Sequence, residues 1–292
     1  MGIVNIGEDS VADGRSLPTL DAQLEFALRQ HGDGAHIIDI GVQSGRTDTP
    51  IIPEEREIEL LVPLVGALAA EDVPVSVDVW RPRVAQAAVA AGAALINDVS
   101  GLADEALADI AAASGAALVV LHTRAAPKVE RFPGYADPLA DVLELLDERL
   151  QLALRRGVAR EQLVIDPGLD FAKTPAESIA VLRRLPELAR LERPILLAVS
   201  RKYFIGMLTA KQPEERLAGT LAAVGFGVAA GAEILRVHDV AAVVEFLRVR
   251  HALLDDGPPE LLGDPGEDAL KWLPAPRTAG SGTTHAPAAP TQ

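Results

Sequence analysis

The chain has no cysteine among its 292 residues. Disulfides, thiolate metal ligands and cysteine nucleophiles are therefore excluded. Aromatic residues are scarce at 3%, so a core must be built from Ala, Val, Leu and Ile, which the 49% hydrophobic content supplies. Positive charge is also short. The 27 Lys and Arg face 42 Asp and Glu, giving a formal charge of −15 and a pI near 4.8. Such a surface repels phosphate backbones and anionic lipids, so neither nucleic acid nor membrane is expected as a partner, although a local basic pocket for a small anion stays open. Long apolar runs are missing too. The longest uncharged one, Leu217 to Ala232, holds 16 residues, four of them glycine, where a spanning helix needs about 20 apolar ones. No basic segment precedes an apolar one near residue 1, so no secretory signal is read and a cytoplasmic protein is expected.

What is present is a rhythm. Short apolar runs at residues 2–6, 36–41, 74–79, 94–99, 117–122, 163–168, 194–200 and 233–239 alternate with longer amphipathic stretches. These stretches lie at residues 19–30, 53–70, 82–91, 104–113, 138–155, 175–190, 213–230 and 240–254. The runs are too continuous for strands exposed on one face and suit a parallel sheet buried on both sides. Eight strand–helix repeats in about 250 residues predict an α/β fold, a (β/α)8 TIM barrel forming a single domain over residues 1–255. An open doubly wound sheet is the alternative, weakened by the absence of GxGxxG after the first run. Residues 256–273 read as a C-terminal extension. Residues 274–292, rich in Pro, Gly, Ala and Thr, read as a disordered tail.

A TIM barrel builds its site at the carboxyl ends of its strands. Those ends carry Asn5, Asp39, Asp78, Asn97 with Asp98, His122, Asp166, Ser200-Arg201-Lys202, and Arg236 with His238 and Asp239. Any one acid could merely cap a helix or tie a turn. A whole ring of carboxylates, amides and cations on one rim points to a ligand. Asp78, Asn97, Asp166 and Lys202 suit the donors and acceptors of a polar heterocycle. Arg236 and His238 follow the eighth strand, where barrels often hold phosphate. Asn5 offers an uncharged oxygen suited to a hydrated Mg²⁺ bridging to phosphate. No HxH or HExxH occurs, so zinc is not expected.

Over residues 1–255 the chain resembles dihydropteroate synthase. Its opening MGIVN, then GAHIIDIGVQSGR, SVDVW, INDVSG, DPGLDFAK, SRK and RVHDV occur in that family's order, each at a predicted strand. The resemblance implies a barrel that joins dihydropterin pyrophosphate to p-aminobenzoate, working mainly by positioning and charge stabilisation. It assigns Asp78, Asn97, Asp166 and Lys202 to the pterin, and Asn5 to Mg²⁺ and pyrophosphate. Arg236 and His238 also fall to pyrophosphate, and Phe171 and Ser200 to the p-aminobenzoate side. Lys202, Arg236 and His238 are the candidate catalytic residues. The expected ligands are a pterin and p-aminobenzoate or sulfonamide-like molecules, and the expected assembly is a homodimer.

Departures from the pattern bear on activity. Gly7 and Glu8 replace Thr-Pro, Val11 replaces Phe, Gly45 and Thr47 replace a threonine and a proline, and Val79 replaces a threonine. Asp170 stands where the family has glycine. An inward Asp170 is expected, filling the pocket or capturing Lys202 or Arg236. With both mobile loops altered, the main expectation is a paralogue with little or no activity. A working synthase and a non-catalytic pterin or small-anion binder are the alternatives. A methyltransferase-type pterin barrel would be expected to lack SRK and RVHD.

Overall fold

The computed structural model describes residues 1–7, 17–43, 50–257 and 262–263. The chain divides into two compact units, Met1–Arg250 and His251–Gln292. The first holds eight strands: β1 (Gly2–Asn5), β2 (Ile38–Gly41), β3 (Val75–Val79), β4 (Leu95–Asp98), β5 (Ala117–Leu121), β6 (Leu163–Asp166), β7 (Leu196–Leu197) and β8 (Ile234–Leu235). β1 to β6 pair in sequential parallel order, and β7 pairs β8. Isolated bridges from Ile165 to Ile195 and from Gly2 to Val237 join the two sheets at both seams. The ring is therefore closed, and the expected (β/α)8 barrel is what forms. The open sheet is not.

Nine helices are described: α1 (Leu20–Gly32), α2 (Glu54–Ala70), α3 (Pro82–Ala90), α4 (Ala106–Ser114), α5 (Pro138–Arg155), α6 (Pro175–Arg183), α7 (Tyr203–Thr209), α8 (Leu217–Ala229) and α9 (Val240–Leu254). Proline opens α3, α5 and α6, where its missing N–H would lack a partner anyway. Thr174 closes a capping box with Glu177 at the start of α6. Two helix expectations need correction. The stretch 175–190 breaks at Arg184, because Pro186 cannot continue the ladder, and goes on as a 3-10 turn over Leu185–Leu191. The run after SRK forms a short helix, α7, that periodicity did not reveal.

The main core lies between strands and helices and includes Val77, Val79, Ile96, Leu118 and Ile165. A smaller cluster of Leu95, Val119, Val164 and Leu196 fills the barrel itself. In the second unit only residues 251–257 and 262–263 are described, comprising the last turn of α9 and the bend after it. The rest of the expected extension and the whole 274–292 tail lie outside the described residues.

Candidate active site at the carboxyl rim

Alternation along each strand decides what faces the barrel interior. Asn97 and Asp166 lie two residues beyond Leu95 and Val164, so they continue the interior face one layer higher. Register sets Asn5 opposite Gly41, Gly41 opposite Asp78, and Asp78 opposite Asn97. A Cβ on Gly41 would sit 3.2 Å from Asn5 Oδ1 and 3.6 Å from Asp78 Cβ, so the bare glycine lets these two side chains stand close together. Asn5, Asp78 and Asn97 thus stand side by side in one polar layer, and Asp166 ends the same interior face on β6.

Arg236, just after β8, ties this layer together. Its Nε donates to Asp39 Oδ2 at 2.6 Å and its Nη2 to Asp78 Oδ2 at 2.7 Å. Asp39 is fully buried. It also accepts from Ser76 Oγ at 2.5 Å and from Asn97 Nδ2 at 3.3 Å. Burial pushes the Asp78 carboxyl upward, and the Arg236 charge opposes that push. Asp39 was placed at a strand end by sequence but given no role. Its role is to hold Arg236 and Asn97 in position. Asp166 accepts from the Gly168 N–H at 2.7 Å, and burial raises its pKa also.

Lys202 reaches the rim from the start of α7. Its Nζ donates to the Leu169 carbonyl at 2.9 Å and lies 4.8 Å from the Phe171 ring centroid. Burial lowers its pKa, while Asp170, Asp166 and Asp78 act to raise it and Arg236 to lower it. Phe171 and Lys202, assigned to different ligands by the sequence reading, thus lie together. Ser200 Oγ accepts from the His238 N–H at 3.2 Å and lies 2.9 Å from His238 Nδ1, which joins the β7 and β8 ends. Arg201 forms two bonds to Asp239, at 3.1 and 2.8 Å. Asp98 serves its own turn, accepting from Ser100 and Leu102.

A second network lies under the loop after β6, and sequence reading missed it. Lys173 is 1% exposed. Its Nζ lies 2.7 Å from His122 Nδ1 and donates to the Gly168 carbonyl at 2.8 Å and the Phe171 carbonyl at 3.2 Å. An ammonium only donates, so His122 Nδ1 must be the acceptor and Nε2 carries the proton toward Asp141 Oδ1, 2.7 Å away. Arg124 closes the chain on Asp141. Burial and the Lys173 charge press the His122 pKa down to about 3, keeping the ring neutral. Gly168 has φ +65°, and a Cβ there would overlap the His122 carbonyl, so the turn requires glycine. The sequence offered His122 at the end of β5 and Lys173, a lysine closing an otherwise apolar run after Asp170, but nothing to join them across 51 residues.

The altered positions fare differently. Asp170 does not fill the pocket or pair with Arg236. Its Oδ2 accepts from the Tyr203 N–H at 2.6 Å and its Oδ1 from Ser178 Oγ at 3.1 Å, while its own N–H donates to Ser178 Oγ at 3.0 Å. Val79 is buried in the outer core and does not face the rim. A Cβ on Gly7 would overlap the Val42 carbonyl, so the glycine allows a close backbone approach there. Glu8, Val11, Gly45 and Thr47 lie outside the described residues. Among the described residues no group of three or more His, Asp or Glu is placed to hold a metal ion.

The signature of the family described as "Pterin binding enzyme" matches residues 1–238. A dihydropteroate synthase of Bacillus subtilis is 39% identical over 259 residues, covering 88% of this chain and 89% of that protein. The solved structure of Xanthomonas albilineans dihydropteroate synthase with 4-aminobenzoic acid superposes with a TM-score of 0.81 at 39% identity, covering 88% of this chain and 93% of that one. The Yersinia pestis dihydropteroate synthase in complex with a sulfonamide drug gives a TM-score of 0.82 at 34% identity, covering 87% and 92%.

Proposed function

Because the chain belongs to the pterin binding enzyme family, we propose that it is a working dihydropteroate synthase, joining dihydropterin pyrophosphate to p-aminobenzoate. The observation that carries this reading is the Asp39–Arg236–Asp78 bridge beside Asn97, with Asp166 and Lys202 on the same rim. In the proposed reaction the bond between the pterin methylene and the pyrophosphate oxygen breaks, and its electron pair leaves with pyrophosphate. The arylamine nitrogen bonds to the methylene and sheds a proton to solvent. Asp78, Asn97 and Asp166 orient the pterin through its donors and acceptors. Lys202, Arg236 and His238 counter the charge that develops on the leaving group, and Phe171 and Ser200 flank p-aminobenzoate. The pocket that takes p-aminobenzoate would also admit sulfonamides.

No protein-only cage for a metal stands among the described residues. A single amide oxygen from Asn5 fits a hydrated Mg²⁺ arriving with the pyrophosphate, and that ion would supply charge neutralisation. One support of the inactive expectation, a pocket filled by Asp170, falls away, since its carboxylate bonds to Tyr203 and Ser178. A second copy of the chain is the proposed partner, seated on exposed apolar residues of α7 and α8.

The test is pyrophosphate release by the purified protein with Mg²⁺, dihydropterin pyrophosphate and p-aminobenzoate. Release should require p-aminobenzoate and fall by about two to three orders of magnitude in Lys202→Ala. Calorimetric pterin binding with no release would overturn the reading in favour of a binder.

A further inference from the structure

The loops after β6 and β7 meet at two points. Lys202 Nζ donates to the Leu169 carbonyl, and one residue along, Asp170 Oδ2 accepts the Tyr203 N–H. Tyr203 is the first residue of α7, and its N–H is one of the donors a helix start leaves without an internal partner. Lys202, the N-cap residue of α7, makes no side-chain capping bond there. The cap comes instead from Asp170, 33 residues earlier in the chain. Asp170 is itself held. Ser178 in α6 bonds both its N–H and its carboxylate. Its φ of +65° lies in the left-handed region, where aspartate is better tolerated than most side chains.

We propose that Asp170 is a positioning residue that docks the β6 loop onto the amino end of α7 and so holds Lys202 over the Phe171 ring. The carboxylate at a position where the family pattern has glycine is then a splint, fixing two site residues from two loops against each other. Its importance for turnover rests on the synthase reading above; its effect on Lys202 does not. The charged groups acting on Lys202 are Asp170 and Asp166 from the β6 end, Asp78 from β3, Arg236 from the β8 end, and Lys173 beneath the loop. Burial works against the ammonium, and Asp170 is the largest influence that favours it. Loss of the carboxylate therefore removes both a tether and a charge that keeps Lys202 protonated.

The chain has only five lysines, so carbon-labelled lysine spectra of the unliganded protein are assignable with a Lys202→Arg variant. Wild type, Asp170→Asn and Asp170→Gly would be titrated, with turnover profiles and Tyr203 amide exchange measured alongside. Asparagine tolerates the left-handed backbone and keeps an acceptor, so at least that variant should fold. In both variants the Lys202 midpoint should fall below that of wild type while Lys211 stays put. Tyr203 exchange should quicken in Asp170→Gly. The kcat should drop about ten- to a hundredfold, with the alkaline limb moved to lower pH. An unchanged Lys202 midpoint and an unchanged pH profile, whatever happens to the melting temperature, would reduce Asp170 to a simple helix cap and overturn the proposal. A wild type without turnover would remove the synthase reading, and the titration would still decide the role of Asp170.

Discussion

Lys173 is the bulkiest side chain that the described residues bury completely. Burial alone would make this costly, and it brings the Lys173 pKa down to about 7. The cost is met by three well-placed oxygen and nitrogen partners, one of which is His122. The arrangement fixes the histidine tautomer and leaves no room for a second ring proton, since that proton would face the Lys173 donor. A stability prediction follows with a definite sign. The folded His122 titrates near 3, and the unfolded one near its ordinary value of about 6.5. Between these values the unfolded chain binds a proton that the folded chain refuses. The stability tied to His122 is therefore full above about pH 6.5 and declines as pH falls toward 3. Asp141, whose pKa is lowered by Arg124 and His122, adds to the loss only at lower pH. Urea denaturation at pH 7 and pH 4.5 should show wild type losing roughly 2–3 kcal/mol more than His122→Gln over that interval. Equal losses would mean that the ring is already protonated in the fold.

At the level of elements, the strands were legible because each is an unbroken apolar run ended by a polar residue, a pattern a parallel barrel imposes on both faces. The rim residues Asn5, Asp78, Asn97 and Asp166 were legible for the same reason, since they sit where the runs stop. The partners that fix them were not. Arg236 meets Asp39 across 197 residues of chain, and the cap of α7 comes from Asp170. α7 itself spans seven residues with Gly206 in the middle, too short for a helical period to show. The orientation of Asp170 is a tertiary fact as well, set by Ser178 and Tyr203. A similar local logic holds at Gln43. The Gln43 Nε2 donates to the Pro50 carbonyl at 3.1 Å, and its Oε1 accepts the Ile52 N–H at 2.9 Å. An amide serves both ends, whereas a carboxylate can serve only the second. Gln43→Glu should therefore destabilise the protein by about 1–3 kcal/mol, read as a fall in melting temperature. An unchanged melting temperature would mean that the clamp carries no net energy.

For the molecule as a whole, no helix among the described residues is long and apolar enough to cross a membrane. Yet apolar side chains do collect on one part of its surface. Tyr203, Met207 and Leu208 on α7 and Leu217 and Phe226 on α8 are all exposed, Leu208 by 70%. These two helices are neighbours in the ring. Isolated exposed hydrophobics are ordinary, but five on adjacent helices suit the proposed contact with a second copy. A two-fold pair would cover the same face on both copies, so one substitution acts twice. The formal charge of −15 opposes such pairing at long range. A dimer held by apolar contact should thus tighten when salt screens the repulsion over about 10 Å at 0.1 M, whereas one held by ion pairs should loosen. Sedimentation of wild type should show a dimer that strengthens from low to moderate salt. Leu208→Glu should shift it to monomer, because each buried apolar contact is replaced by an unpaired charge. A wild type that sediments as a monomer at both salt levels would mean that this face is left for a different partner, and the second-copy reading would fall.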